Sequence, residues 1–182
     1  MAKLFEEIDD RLARFIGRQK VFFVATSPGK HEGHVNLSPK GVDGTFSIID
    51  ERTVAYLDIV GSGIETVAHL RNDGRIVVMF CAFDGPPKVV RLHGRGTVVL
   101  PGDSEWEGLM ARFPPQVGTR SVIKITVERI SDSCGYGVPL MTYAGERGEL
   151  GDWAGRKTEE EMAEYRRKKN AVSIDGLPGL TE

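Results

Sequence analysis

The sequence predicts a mainly β protein, an antiparallel barrel with short helices at its periphery. Six or seven short segments rich in β-branched and aromatic residues follow one another along 182 residues, separated by polar, Gly- and Pro-containing turns. These segments do not alternate regularly with helices, which disfavours a parallel sheet built from βαβ units. Hydrophobic residues make up 40% of the chain and charged residues 27%, so we expect one globular domain and no extensive disorder.

The first third of the chain is predicted to contain one helix and four strands. Apolar residues recur at three- and four-residue spacing over Leu4–Gly17, which predicts an amphipathic helix. The strand candidates that follow are short and closely connected, so we expect a meander in which neighbours pair antiparallel. These strands are predicted over Val21–Thr26, His34–Ser38, Thr45–Ile49 and Thr53–Leu57.

The remainder is predicted to add three strands and three helices. Ser121–Ile130 has the clearest alternation, with Ile123, Ile125 and Val127 on one face and polar residues on the other. The other two strands are predicted over Arg75–Phe83 and Lys88–Leu100. The helices are predicted over Gly61–Asn72, Asp103–Phe113 and Thr158–Lys169, the last of them strongly charged.

Composition excludes several classes of function. The net charge of −2 disfavours non-specific binding to nucleic acid, which requires an excess of cations. The longest apolar run, Ile76–Phe83, is far shorter than the roughly 20 residues needed to cross a bilayer. The two cysteines form no CxxC pair and the four histidines are scattered, so we expect no metal site. The acidic N-terminus is unlike a signal peptide, and we therefore expect a cytoplasmic protein.

The stretch HVNLSPKG, residues 34–41, is the first candidate for binding chemistry. Alternation along a strand predicts that Val35 and Leu37 face the core. The polar side chains then share the opposite face, where an amide, a hydroxyl and an ammonium group suit a phosphate or a polar ring edge. Judged by spacing alone, such a row of polar side chains is more often an ordinary solvent-exposed strand face than a binding site. These polar candidates are His34, Asn36, Ser38 and Lys40.

The stretch DIVGSGIETVAHL, residues 58–70, is the second candidate. It predicts a strand, a glycine-rich turn and a helix that begins near Ile64. Free amides at the helix start, together with the hydroxyls of Ser62 and Thr66, are typical of an anion site. Glu65 suits the helix dipole but repels a phosphate. A plain helix cap at Ser62 is the alternative.

The stretch RLHGRG, residues 91–96, is the third candidate. Arg91 and His93 share a strand face opposite Leu92. An arginine in the middle of a strand needs a partner if it is buried. A ligand phosphate, a carboxylate such as Asp58 and water all remain open as that partner.

Taken in order, HVNLSPKG, YLDIVGSGIETVAHLRNDGRIVVMF and VVRLHGRGTVV resemble the pyridoxamine 5′-phosphate oxidase-like family of FMN-binding split β-barrels. The likeness runs from about Val21 to about Ile130. It implies a six-stranded antiparallel split barrel that dimerises and holds FMN in a cleft at the subunit interface. Residues 1–182 then form a single FMN-binding domain, with a core over about 18–145 and a C-terminal helical and loop extension over 146–182.

The resemblance also implies which residues hold the cofactor. By this resemblance, the end of the second predicted strand contacts the flavin ring and its side chain, and the glycine turn and helix start bind the phosphate. Arg91 shares a strand face with the family's ring-contacting position. The vitamin B6 oxidases carry an Arg-Lys pair where this chain has Glu65 and Thr66, so we do not expect pyridoxamine phosphate to be the substrate. The implied cofactor-binding residues are Asn36, Leu37, Ser38, Lys40, Ser62, Gly63, Thr66 and Arg91.

The function that the resemblance implies is FMN-dependent oxidoreduction of an unidentified small molecule. The flavin carries the redox chemistry, so no side-chain nucleophile is needed and no catalytic residue is assigned. Lys40 or Arg91 would stabilise negative charge at the pyrimidine edge of the ring. Two alternatives are a non-catalytic flavin-binding sensor or carrier, and the same barrel with a deazaflavin or haem as its ligand.

Overall fold

The computed structural model describes residues 3–30 and 32–180, and within these ranges its main feature is one antiparallel sheet of eight strands. The strands are β1 (Lys3–Phe5), β2 (Phe22–Thr26), β3 (Asn36–Lys40), β4 (Phe46–Asp50), β5 (Thr53–Ile59), β6 (Arg75–Cys81), β7 (Val89–Val99) and β8 (Thr119–Ser133). The helices are α1 (Asp10–Arg18), α2 (Glu65–Asn72), α3 (Trp106–Met110), α4 (Glu149–Gly155) and α5 (Glu159–Lys169).

The sheet rolls around one core without closing. Its hydrogen-bonded order is β3-β2-β6-β7-β8-β5-β4, and β1 adds to β8. The strand next to one end of this order, β2, packs against β4 at the other end, because the rings of Phe22 and Phe46 lie 5.1 Å apart, edge to face. The predicted class, a mainly β antiparallel split barrel with short peripheral helices, is confirmed. The sheet has eight strands where six were predicted.

The long strands β7 and β8 form the centre of the sheet. Their register places Val98 opposite Ile123 and Leu92 opposite Ile130. Ile123 and Ile125 are fully buried, whereas Thr126 and Glu128 are exposed, so the alternation predicted for this strand is confirmed. Burying such a face contributes roughly 1.5–3 kcal/mol for each large aliphatic side chain.

The N-terminal helix begins later than predicted. Leu4 lies in β1, where it pairs with Ser131 of β8. Helix α1 starts only at Asp10, because the side chain of Asp9 accepts a hydrogen bond from the amide of Leu12 at 2.8 Å and caps it. The apolar face of the helix is buried as predicted, but apolar spacing alone did not locate the cap.

The predicted meander is only partly correct. β2 pairs with β3 and β4 pairs with β5, but β3 and β4 lie at opposite ends of the sheet. The reason is that β8, at 15 residues, is long enough to pair with both β7 and β5 along its length. The connection between β3 and β4 therefore crosses the open side of the roll.

The predicted helices are present but mostly shorter. Helix α2 begins at Glu65, and α3 covers only Trp106–Met110. Helix α5 matches its prediction, and Thr158 and Glu161 form a capping box at its start. Helix α4 was not predicted and lies in the C-terminal extension.

Candidate functional site

Strand β3 turns its polar side chains inward, so the predicted orientation is wrong. Val35 is 72% exposed and Leu37 is 65% exposed, whereas both were predicted to face the core. In the β2–β3 register Ser38 lies opposite Val24, which is fully buried, and directly paired residues share one face of a sheet. Asn36 and Ser38 therefore face the interior. β3 is an end strand, and an inward-pointing polar row is one way in which such strands avoid pairing with other chains.

Asn36 links β2, β3 and the start of α2 through hydrogen bonds. Its Nδ2 donates to Thr26 Oγ1 at 3.1 Å and to Thr66 Oγ1 at 3.0 Å. Its Oδ1 accepts from Ser38 Oγ at 2.9 Å. Thr26 Oγ1 in turn lies 3.0 Å from His69 Nδ1. The amide of Asn36 thereby fixes the position of the helix start against the strand.

Two fully buried polar atoms near this chain of hydrogen bonds have no hydrogen-bond partner among the described residues, His69 Nε2 and the hydroxyl of Tyr56. Burial lowers the pKa of His69, against the opposing effect of Asp175 and Glu65, so the imidazole is neutral at neutral pH. Burial also raises the pKa of Tyr56, and Asp58 raises it further, so the phenol remains protonated. These two side chains are therefore polar but uncharged.

A buried carboxylate, Asp58, anchors the strand that enters the glycine turn. Arg120 Nε lies 2.7 Å from its Oδ2, Ser121 Oγ donates to it at 3.1 Å, and Lys40 Nζ lies 3.6 Å from its Oδ1. Burial alone would raise the pKa of Asp58, but Arg120 and Lys40 hold it below its ordinary value. The carboxylate is therefore ionised and paired.

Arg120 belongs to the candidate site, and sequence reasoning missed it. It occupies the role considered for Arg91, as the partner of Asp58. No local signal distinguishes it, because its partner lies 62 positions away and the two meet only when β5 pairs with β8.

Hydrogen bonds to the backbone carbonyl of Gly61 hold the turn between β5 and α2 in place. The oxygen of Gly61 accepts hydrogen bonds from Asn170 Nδ2 at 2.9 Å and from Arg120 Nη1 at 3.4 Å. Ser62 is exposed and is not the helix cap, because Ile64 occupies that position and provides no side-chain hydrogen bond. The alternative reading of Ser62 as a plain cap is therefore wrong, and its hydroxyl faces solvent.

Helix α2 consequently begins without a side-chain cap among the described residues. The first hydrogen bond into the helix runs from the amide of Ala68 to the carbonyl of Ile64, so the amides of Glu65, Thr66 and Val67 precede it. Amides at such a start carry partial positive charge and favour an anion.

We call residues 170–180 the C-terminal strap, because they pass over this turn. The carboxylate of Asp175 accepts from the backbone amide of His34 at 2.7 Å and lies 2.7 Å from its Nδ1. The amide of Ile174 donates to Glu65 Oε1 at 3.3 Å. The strap therefore joins the entry to β3 to the start of α2.

These elements enclose a cleft of about 430 Å³ between the start of β3 and the start of α2. Lys40 lines a neighbouring cavity of about 270 Å³ that reaches Gly61. Ser38 and Thr66 are joined to the cleft through their hydrogen bonds with Asn36. Four residues predicted to hold the cofactor line the cleft itself, Asn36, Leu37, Ser62 and Gly63.

Arg91 lies apart from this group. It is half-buried on the outward face of β7, opposite Met79 of β6, and its Nη1 donates to Ser133 Oγ at 3.1 Å. Leu92 is buried on the other face, as predicted. Within one chain the structure therefore gathers seven of the eight predicted cofactor residues in one neighbourhood and places Arg91 on the outer face of the sheet.

Residues 3–30 and 32–180 contain no group of three His, Cys, Asp or Glu side chains arranged to hold a metal ion. In the same ranges no helix has both the length and the apolar character needed to cross a membrane.

Comparison with solved structures identifies the same fold in other proteins. HupZ of Group A Streptococcus superimposes with a TM-score of 0.52 at 23% identity, covering 68% of this chain and 91% of that one. A FAD-binding protein from Mesorhizobium loti superimposes with a TM-score of 0.51 at 13% identity, covering 72% of this chain and 96% of that one. At these identities the likeness concerns the fold.

Comparison of sequences gives a narrower result. The sequence profile described as "Pyridoxamine 5′-phosphate oxidase" matches residues 8–134. The pyridoxamine 5′-phosphate oxidase family protein ustO of Aspergillus flavus is 37% identical over 196 aligned positions, which cover 99% of this chain and 78% of that protein. This chain therefore belongs to the pyridoxamine 5′-phosphate oxidase family.

Proposed function

We propose that the chain binds FMN in the cleft between β3 and α2 and uses it to transfer electrons to or from a small molecule. The observation that supports this most is the convergence of Asn36, Leu37, Ser62 and Gly63 on one cleft in a member of this family. The protein from Mesorhizobium loti, described as FAD-binding, supports a flavin as the ligand class.

The residues present offer hydrogen-bond donors that suit the phosphate ester of a flavin, but their charges suit it less well. The exposed hydroxyl of Ser62 and the first-turn amides of α2 are donors of the kind that bind phosphate. The cleft volume lies within the range of about 300–1,000 Å³ that is typical of small-molecule sites. Glu65, however, lines the same cleft, and the nearby ammonium of Lys40 is already paired with Asp58.

When bound, the flavin supplies the two-electron chemistry. This chain's residues would bind and orient it: Ser62 and the α2 amides would donate to the phosphate ester, and the exposed side chain of Leu37 would offer apolar surface for the ring. Asn36 is satisfied by its own hydrogen bonds and acts by holding β3 against α2. No residue is assigned a proton transfer.

The absorbance of protein purified without added cofactor tests the proposal directly. We expect flavin bands, either as purified or after incubation with FMN, and release of a molecule with the mass of FMN on denaturation. A different released chromophore, such as a deazaflavin or haem, would replace FMN as the ligand. Colourless protein that does not change the fluorescence of added FMN would contradict flavin binding.

Replacing Ser62 with alanine should weaken FMN binding by roughly ten- to hundredfold, because hydrogen bonds to charged groups contribute about 1.5–3 kcal/mol. The measurement is FMN fluorescence titration of the S62A variant. Ser104→Ala is the matched control, since Ser104 is an equally exposed serine at a turn outside the cleft. Equal affinities in both variants would place the phosphate elsewhere.

We further propose a homodimer that brings Arg91 to the cleft of a second copy. Arg91 shares the outer sheet face with three half-buried apolar side chains, Phe23, Val77 and Met79, a combination suited to an interface. Sedimentation equilibrium should give about twice the chain mass of 20.0 kDa. A monomer at micromolar concentration would leave Arg91 without access to the cleft and would overturn its predicted role.

A further inference from the structure

Glu65 occupies an unusual position at the start of its own helix. Its side chain folds back over the preceding turn, so that Oε2 fills the space that a Cβ at Gly63 would need. Its other oxygen, Oε1, accepts a hydrogen bond from the amide of Ile174 in the C-terminal strap at 3.3 Å. The carboxylate therefore lies against the turn and is held by the hydrogen bond from the strap.

The Glu65 carboxylate lies at the start of α2, where binding of an anion would be most favourable. Helix α2 has no side-chain cap, and its first-turn amides attract negative charge. A carboxylate in the first turn satisfies part of that attraction from within the chain. A phosphate that approaches Ser62 and Gly63 meets this carboxylate on the lining of the same cleft.

The surrounding charges do not offset Glu65. Among the described residues that line the cleft, His34 is the only side chain able to carry positive charge, and it is paired with Asp175. His69 is buried and neutral. Lys40 and Arg120 are both engaged by Asp58, on the far side of the turn. Within one chain, a phosphate at the start of α2 thus finds donors but no unpaired cation among the described residues that line the cleft.

We infer that Glu65, held by the C-terminal strap, is a specificity-determining residue that competes with the phosphate ester of the bound flavin. The inference rests on the proposed flavin site and deepens it. FMN must displace the Glu65 carboxylate and release the amide of Ile174, whereas a flavin without the phosphate, such as riboflavin, need not. The chain therefore binds FMN less tightly than its hydrogen-bond donors alone would allow.

The test is the ratio of two affinities in the Glu65→Gln variant. Glutamine keeps the shape of glutamate and can still accept from Ile174, so the fold and the strap are retained. We expect E65Q to bind FMN at least about tenfold more tightly than the unaltered chain, equivalent to about 1.4 kcal/mol, with riboflavin affinity almost unchanged. Glu160→Gln is the matched control, because Glu160 is an exposed glutamate in the first turn of α5. An equal change for both flavins, or weaker FMN binding by E65Q, would overturn the inference.

A second measurement does not depend on flavin. Inorganic phosphate is titrated into the isotope-labelled chain while the amide signals of residues 62–66 are followed by NMR. These signals should shift at lower phosphate concentration in E65Q than in the unaltered chain or in E160Q. In the unaltered chain, phosphate should also speed hydrogen exchange at the amide of Ile174.

The two measurements separate two kinds of failure. If no variant binds either flavin, the proposed function is wrong, and the phosphate titration still decides the role of Glu65. If phosphate binds E65Q and the unaltered chain equally, Glu65 does not compete with a phosphate ester, whatever the flavin results are.

Discussion

Replacing Arg120 with methionine is expected to lower the free energy of unfolding by about 3–5 kcal/mol, the usual effect of removing one partner of a buried ion pair. The side chain of Arg120 is 5% exposed and that of Asp58 is fully buried, with Nε and Oδ2 2.7 Å apart. Without the guanidinium, Asp58 retains only Lys40, at 3.6 Å, and the hydroxyl of Ser121. Urea unfolding followed by circular dichroism measures the loss.

An exposed ion pair provides the control for this prediction. Arg147 and Glu149 lie 3.9 Å apart with both side chains largely exposed, so Arg147→Met should change stability by less than about 1 kcal/mol. The double variant D58N/R120M removes both buried charges, and we expect it to be more stable than R120M alone. If R120M lost no more stability than R147M, the buried pair of Arg120 and Asp58 would not stabilise the fold.

Loss of Arg120 should also affect the candidate site. Its Nη1 and Asn170 Nδ2 both donate to the carbonyl of Gly61, which begins the turn before α2. We therefore expect R120M to loosen the turn as well as the pairing of β5 with β8. A larger increase in hydrogen exchange, relative to the unaltered chain, in residues 61–64 than in β7 would show this local effect.

Replacing Gly94 with alanine is expected to destabilise the protein by about 3 kcal/mol or more, because overpacking against a backbone cannot be relieved by a side-chain movement. A Cβ at Gly94 would overlap the carbonyl oxygen of Thr126 and lie 3.0 Å from Val127 Cα. The position coincides with a register shift between β7 and β8 at His93 and Gly94. Without this close approach the two longest strands cannot keep their pairing. Thermal and urea unfolding measure the loss.

Gly17→Ala is the matched control for this substitution. Gly17 lies in helix α1, and a Cβ there would meet nothing within 4 Å. Alanine should therefore stabilise the protein by roughly 0.5–1 kcal/mol, since glycine is the poorer helix former. The two Gly→Ala variants thus have opposite expected signs. A G94A variant as stable as G17A would mean that β7 and β8 can separate locally without consequence.

Local pattern was sufficient to predict where seven of the eight described strands lie, whereas β1 falls at the start of the segment predicted as a helix. The alternation in β8 reports a strand with one buried face, and the burial of Ile123 and Ile125 follows from it. The candidate binding stretches were also visible, because Asn36, Ser62 and Thr66 are polar residues at a strand and a glycine turn. An alternation of polar and apolar residues, however, shows that the two faces of a strand differ and does not show which face is buried. On β3 the predicted faces were exchanged, since burial there is decided by β2 and α2.

The sequence by itself determined the family, the fold class and every described strand segment except β1, because these depend on short-range patterns of side chains. Only the tertiary structure decided the partner of Asp58, the separation of Arg91 from the cleft and the contact between the strap and Glu65. The physical reason is distance along the chain. The contacts of Asp58 with Arg120 and of Glu65 with Ile174 join residues 62 and 109 positions apart, and such contacts exist only after the sheet has rolled.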